Sequence, residues 1–193
     1  MQHRPSPRSL LIVALTLAST ACTGGAAVFG ARAAAPAVPI VAWAGPVGAL
    51  FEDGIDPAAL NLAAGTSPRA DLALRERVLA AEAVVRVRVS TVSLASVDGR
   101  GVYQIALKLV GEPLVGAVPT DEDHVDVSVA PGSAAFPVVR SVESSLVGRT
   151  FVGFFRRFAG PDQPVLRFHL ARDGEEMAAA VHEVVTLSAL SGR

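Results

Sequence analysis

Cysteine is nearly absent from this sequence. The chain has 193 residues and one cysteine, Cys22. A single cysteine excludes an internal disulfide framework, so the fold has to be stabilised by an apolar core. The composition supplies that core, because 51% of the residues are hydrophobic, and the length suits one packed domain.

The sequence also lacks an excess of charge of either sign. It has 17 Lys and Arg against 18 Asp and Glu, a formal net charge of −1. This balance gives no overall basic field, which argues against nucleic acid as a partner. Aromatic residues make up only 5% of the chain and are mainly phenylalanine, which is typical of a core and not of a base-stacking surface.

The apolar run near the N-terminus is too short to cross a membrane. Residues 10–18 form a stretch of nine mostly apolar residues behind a basic region that contains Arg4 and Arg8. A membrane-spanning helix needs roughly 20 apolar residues, whereas a run of this length is typical of a signal peptide. We therefore predict that residues 1–21 are a signal peptide and that the protein is exported.

The end of this segment, Ser19-Thr20-Ala21-Cys22, resembles a bacterial lipoprotein signal, in which the cysteine is acylated before cleavage on its amino side. The resemblance covers residues 1–22 and departs from the family pattern at Ser19, where leucine is usual. It implies a lipid on Cys22 that anchors the chain to a membrane, and Thr23 fits an outer membrane facing the periplasm. Ordinary cleavage after Ala21, which would give a soluble periplasmic or secreted protein, is the alternative.

The remaining chain divides into a tether and one globular domain. Residues 22–50 are rich in Ala, Pro and Gly and carry almost no charge, so we predict a tether there, although Trp43 and the apolar residues 38–42 have the composition to dock on the domain. The domain is predicted to span residues 51–193. The pair Ser67-Pro68 predicts the start of a helix over residues 69–83, with Leu72, Val78 and Leu79 on its apolar side.

Beyond this helix the apolar period changes from 3.6 to 2. Val85, Val87 and Val89 alternate with polar residues, and the alternation resumes after a turn at residues 98–101, as in a β-hairpin with one buried face. Further strands are predicted at 125–129, 150–158 and 165–171. A short helix is expected at 136–147 and a closing helix at 175–190.

These elements predict a mainly β, α+β domain: a small five-stranded barrel or a strongly curved antiparallel sheet with flanking helices, its β core at about residues 83–171. The order of five strands with a helix between the third and fourth resembles an OB fold. The segments 83–87, 103–107 and 148–154 resemble its netrin-module and metalloproteinase-inhibitor branch. The disulfides typical of the secreted animal members are missing, so no inhibitory function is carried over.

Motifs of catalysis and of metal or cofactor binding are also missing. His182-Glu183 begins like a zinc-protease helix, but Thr186 stands where the second histidine is required. The acidic run at residues 121–126 lacks the spacing of a calcium loop, and there is no serine-nucleophile elbow or phosphate-binding glycine loop. We therefore predict a non-catalytic protein without a cofactor. In the closing helix, Val181 and Val184 should be buried and His182 should be exposed.

Cations on the predicted strands are the remaining signal. Arg86, Arg88 and Lys108 fall opposite the buried valines, so they should project together from one face. Arg156 or Arg157, and Arg167, also lie on strands. This face is either solvated or binds an anionic envelope component or an acidic protein partner; in the first case, binding would fall to the loops around Asp98 and Asp121.

The sequence thus favours a lipid-anchored envelope protein with a binding or scaffolding domain. Two alternatives stay open: a solute-binding lipoprotein of a transporter, and a small envelope hydrolase or metal-dependent enzyme.

Overall fold

The computed structural model describes residues 38–118 and 123–192, and this part of the chain forms a strongly curled eight-stranded sheet with four α-helices against it. The strands are β1 (Val41–Ala42), β2 (Gly54–Ile55), β3 (Ala83–Val97), β4 (Arg100–Leu109), β5 (Val115–Gly116), β6 (His124–Val129), β7 (Thr150–Ala159) and β8 (Val165–Arg172). The helices are α1 (Gly45–Ala49), α2 (Leu72–Ala80), α3 (Ala135–Leu146) and α4 (Glu175–Ser191). The signal peptide, Cys22 and most of the tether predicted from the sequence lie outside the described residues.

The central hairpin is formed by β3 and β4, as the alternation predicted. Val97 pairs with Arg100 across a two-residue turn in which Asp98 and Gly99 have φ angles of 50° and 73°. Positive φ at both central residues matches the right-handed twist of the strands, and Asp-Gly adopts it at little cost. An irregularity between Val89 and Thr91 shifts the register part-way along β3.

The strand order of the sheet is β2-β8-β7-β3-β4-β6, with β1 beside β7 and β5 beside β3. The five long strands are those predicted, and α3 lies between β6 and β7 in the chain. The sheet curls so strongly that β6, at one end of this order, comes into contact with β8, near the other end. The predicted fold class, mainly β with a strongly curved sheet and flanking helices, is therefore confirmed.

The sheet is buried on both faces around β7. Its concave face holds an apolar cluster that includes Phe151, Phe155 and Phe168, and its convex face holds a second cluster that includes Phe154 and Phe158. The second cluster is covered by residues of α2 and α4. This explains why the sequence of β7 is nearly continuously apolar instead of alternating.

On the predicted apolar side of the second helix, Val78 is buried as predicted, whereas Leu72 and Leu79 are exposed. Ser67-Pro68 begins only a 3-10 helix, Pro68–Ala70, and α2 begins at Leu72 because Asp71 caps it, its carboxylate accepting from the Ala73 N–H at 2.9 Å. Leu72 is 93% exposed, and the buried stripe is made by Leu74, Val78 and Ala81. Those three positions are spaced by four and three residues, as one helix face requires.

Part of the segment assigned to the tether by composition packs on the domain. Val41 and Ala42 form β1, which pairs in parallel with Phe158 and Ala159 at the end of β7. Trp43 donates from its indole N–H to the Gly48 carbonyl at 3.1 Å. The part of the predicted tether that follows residue 40 is therefore structured, although its composition is that of a tether.

Candidate functional site

The three cations singled out by the sequence lie on the convex side of the central hairpin. Arg88 of β3 is directly opposite Lys108 of β4, and Arg86 lies two residues before Arg88 on the same strand. Residues two apart project from one face, so the structure brings all three side chains to the same surface. We call Arg86, Arg88 and Lys108 the cationic face.

Two of these three cations have an acidic neighbour. Arg86 Nε lies 3.1 Å from Asp173 Oδ1 at the start of α4, and Lys108 Nζ lies 3.8 Å from Asp123 Oδ2. Arg88 is exposed, and in the described part of the chain no carboxylate lies within ion-pair distance of it. The Lys108 side chain is nevertheless 62% exposed, against 37% for Arg86. Arg88 and Lys108 are therefore the cations more open to an external anion, while Arg86 pairs with Asp173 just before α4.

A polar cleft of about 530 Å³ opens next to the Arg86–Asp173 pair. It lies between the start of α4 and residues 56–68, and three of the four carboxylates that line it have a partner, Asp173 through its pair with Arg86. Asp56 accepts from the Ala58 N–H at 2.9 Å, and Glu176 accepts from the Ser67 hydroxyl at 2.5 Å. These bonds hold the seam between the two segments together.

A buried polar group under the N-terminal segment was not found from the sequence. Asp53 is 3% exposed, pairs with Arg167 and accepts from the Phe168 N–H at 3.3 Å. The Arg167 guanidinium lies 3.9 Å from the centre of the Trp43 ring. Burial raises the pKa of the Asp53 carboxyl despite the opposing effect of Arg167.

Two further cations that the sequence placed on strands are covered to different extents, since Arg156 is buried and Arg167 is half-buried. They are cross-strand partners in β7 and β8, and Arg156 is only 7% exposed beneath Pro39, whose carbonyl accepts from it at 3.4 Å. The Nε atoms of both are buried without a protein partner among the described residues. Alternation alone cannot reveal this burial, because it depends on a segment more than 100 residues earlier in the chain.

A second polar group lies where α2 packs on β7, and it includes Arg77 of α2 and His169 of β8. Arg77 donates to the Leu50 carbonyl at 3.2 Å and to Asp71 at 3.3 Å, and its guanidinium lies 5.7 Å from the centre of the Phe154 ring. Burial, with a further contribution from Arg77, lowers the pKa of His169 to about 3. His169 is therefore neutral at pH 7, and the group fixes the helix on the sheet.

The remaining sequence predictions concern α4 and the acidic run before β6. His182 is exposed and Val181 is fully buried, as predicted, while Val184 is only half-buried. Asp121 and Glu122 lie outside the described residues. His124 lies 3.6 Å from Asp123 and 3.9 Å from Asp126. Within residues 38–118 and 123–192, no three His, Cys, Asp or Glu side chains come together as metal ligands would.

The concave side of the sheet is filled. Its cluster includes large side chains from every long strand and from α3, among them Ile105, Leu107, Val127, Leu146 and Leu170.

No helix in the described residues is both long and apolar enough to span a membrane. Comparison with known proteins gives no match to a family model, to a curated protein or to a solved structure.

Proposed function

We propose that this protein is a lipid-anchored bacterial envelope protein whose single domain binds an anionic envelope component without catalysis. In this proposal Cys22 carries the lipid, and the cationic face is the binding surface. The observation that carries the proposal is the register of the hairpin, in which exposed Arg88 and Lys108 stand opposite each other on one face.

The packing of the sheet favours surface recognition over enclosure of a ligand. Small-molecule sites are usually concave pockets with a few converging polar groups. Here the concave side is occupied by apolar side chains, and three of the four carboxylates that line the cleft beside α4 are engaged. A cationic face of this kind attracts phosphate and carboxylate groups, with the attraction screened over about 8 Å at physiological salt.

The position of the face agrees with a role away from the anchor point. Arg88 pairs with Thr150 at the start of β7, whereas Val41 pairs with Phe158 near its end. At about 3.3 Å of rise per residue, these two ends of β7 are roughly 26 Å apart. A chain tethered through its N-terminus would therefore present Arg88 at the opposite end of the sheet from the point where the tether arrives.

Binding is tested by reversing the two open charges. Arg88→Glu with Lys108→Glu should abolish salt-sensitive binding to vesicles of anionic phospholipid and to purified lipopolysaccharide, measured by co-sedimentation from 50 to 500 mM salt. Arg86 is left intact because its ion pair with Asp173 joins β3 to α4. The matched control is Arg75→Glu with Arg140→Glu, which makes the same charge change on exposed residues of α2 and α3.

The outcomes separate the two parts of the proposal. Binding lost equally in both double variants would mean that net charge matters and the cationic face does not. If the unaltered protein binds neither the vesicles nor lipopolysaccharide, the proposed binding of an anionic component is contradicted.

The anchor is tested separately. Cys22→Ala should move the protein from the membrane to the soluble fraction, and mass spectrometry of the mature protein should find an acylated Cys22 as its first residue.

A further inference from the structure

The hairpin of β3 and β4 has one open edge. β3 pairs with β7 only up to Arg88, and its last backbone bonds on that side join Val89 to Gly148 and Arg149. From Thr91 to Val97 the strand pairs with β4 alone. Within the described residues, the other edge of this segment therefore has no paired strand and no backbone hydrogen bond.

The open segment lacks the features that protect strand edges. Its sequence, Thr91-Val92-Ser93-Leu94-Ala95-Ser96-Val97, has no charge, no proline and no glycine. Natural edge strands are usually protected by a charge, a proline or a covering element, because unpaired N–H and C=O groups are a template for another strand. Only the irregularity at Val89 interrupts the edge, and it lies before the open segment.

Two large apolar side chains of this segment are also exposed. Leu94 is 59% exposed and Val97 is 46% exposed, although the segment is well formed as a strand. The hairpin arm extends beyond the core, since most of residues 90–101 are exposed. Unpaired backbone groups and exposed apolar side chains thus occur at the same place, as in surfaces that bind by adding a strand.

The segment is complementary to a second copy of itself. In an antiparallel pair centred on Leu94, the two leucines are opposite each other, Thr91 faces Val97, Val92 faces Ser96 and Ser93 faces Ala95. Every pair is uncharged, and opposing residues in such a ladder share one face of the sheet. No like charges meet along the seven residues, which would be about 23 Å of continuous pairing.

The geometry also gives a closed assembly. The two arms run in opposite directions, so the turn of each copy points towards the body of the other and ends near its Gly148–Arg149 loop. Each copy uses its single open β3 edge, and a two-fold axis at Leu94 leaves that edge satisfied in both. We propose that the protein forms a homodimer through antiparallel pairing of Thr91–Val97 from two copies, which makes a continuous β4-β3-β3-β4 sheet.

The first test measures oligomeric state. The full chain should show a concentration-dependent dimer in sedimentation velocity, and Leu94→Lys should weaken dimerisation by about tenfold or more, because it removes the leucine pair and places two like charges opposite each other. The matched control is Leu72→Lys, which changes an exposed leucine on α2 in the same way and should leave dimerisation unchanged. An unaltered protein that stays monomeric at all concentrations would overturn the proposal and leave the edge to another protein's strand.

The second test measures register. In the full chain carrying Cys22→Ser, Leu94→Cys should form a disulfide-linked dimer under mild oxidation, since a residue opposite itself falls within disulfide reach. Val97→Cys should not, because six residues separate it from its counterpart along the antiparallel pair. A dimer that crosslinks equally through both positions, or through neither, would contradict pairing centred on Leu94. Because Leu94 is exposed, unchanged thermal unfolding of each variant shows that the fold is kept.

Discussion

Removing the negative charge of Asp53 is the sharpest test of how the N-terminal segment is held. Asp53 has a φ of 49°, a conformation that asparagine tolerates well among the non-glycine residues. Asp53→Asn therefore keeps the backbone preference, the side-chain size and an acceptor for the Phe168 N–H. It removes only the charge that faces Arg167.

The expected cost follows from what remains. Arg167 would stay largely buried against Trp43 and opposite Arg156, with no carboxylate left beside it in the described part of the chain. Breaking a buried ion pair by removing one partner costs about 3–5 kcal/mol, because the other charge is left uncompensated. For a domain of this size that free energy corresponds to a fall of roughly 6–20 °C in Tm.

The measurement is the free energy of unfolding in urea at pH 7. The double variant Asp53→Asn with Arg167→Met removes both charges, so it should be more stable than Asp53→Asn alone. Arg69→Gln, which breaks the exposed pair with Glu183, is the control and should cost at most about 1 kcal/mol. A loss below about 1 kcal/mol for Asp53→Asn, or no recovery in the double variant, would refute the view that Asp53 neutralises a buried arginine.

Two further predictions concern the convex face of the sheet and the helices that cover it. His169 has a pKa of about 3 in the folded state, below its unfolded value, so the unfolded chain takes up the proton first as the pH falls. The free energy of unfolding should therefore decrease between about pH 6.5 and pH 3, by up to about 1.4 kcal/mol per pH unit. Urea unfolding at pH 7, 5 and 4 should show this loss, and the same series with His169→Gln should lack it. In α4, Val181→Asp would bury an unpaired charge and should lower the free energy of unfolding by several kcal/mol. His182→Ala, at an exposed position, should change the same free energy by no more than about 0.5 kcal/mol. Equal losses from the two changes would show that Val181 does not lie on the buried face of α4.

The long strands and the central hairpin were predictable because their signals are local. Val85, Val87 and Val89 mark one face of a strand through a period of two, and Asp98-Gly99 marks the turn through its φ requirements. The same alternation placed Arg86, Arg88 and Lys108 on one surface, because in each strand they alternate with residues that face the core. The irregularity between Val89 and Thr91, which the sequence did not predict, is what sets Arg88 directly opposite Lys108. The predicted signal peptide likewise rests on a local pattern, and both it and the lipid on Cys22 stay predictions.

Other features depended on contacts between distant parts of the chain. The face that α2 buries is set by its cap at Asp71 and by the sheet beneath it, so Leu72 and Leu79 could not be excluded from the core by spacing alone. Arg156 and Arg88 look alike in sequence, as cations on strands opposite apolar residues. The fold covers the first with residues 38–43 and leaves the second exposed.

The sequence by itself determined the five long strands, α3, α4, their order and which strand residues share a face, since each of these follows from periodicity and turn chemistry within a few residues. Tertiary structure alone decided which faces are covered. It placed Asp53 beside Arg167 over 114 positions of sequence and left Thr91–Val97 with an open edge. The physical reason is that burial is a property of what packs on a surface from elsewhere in the chain, and a local pattern carries no information about that second surface.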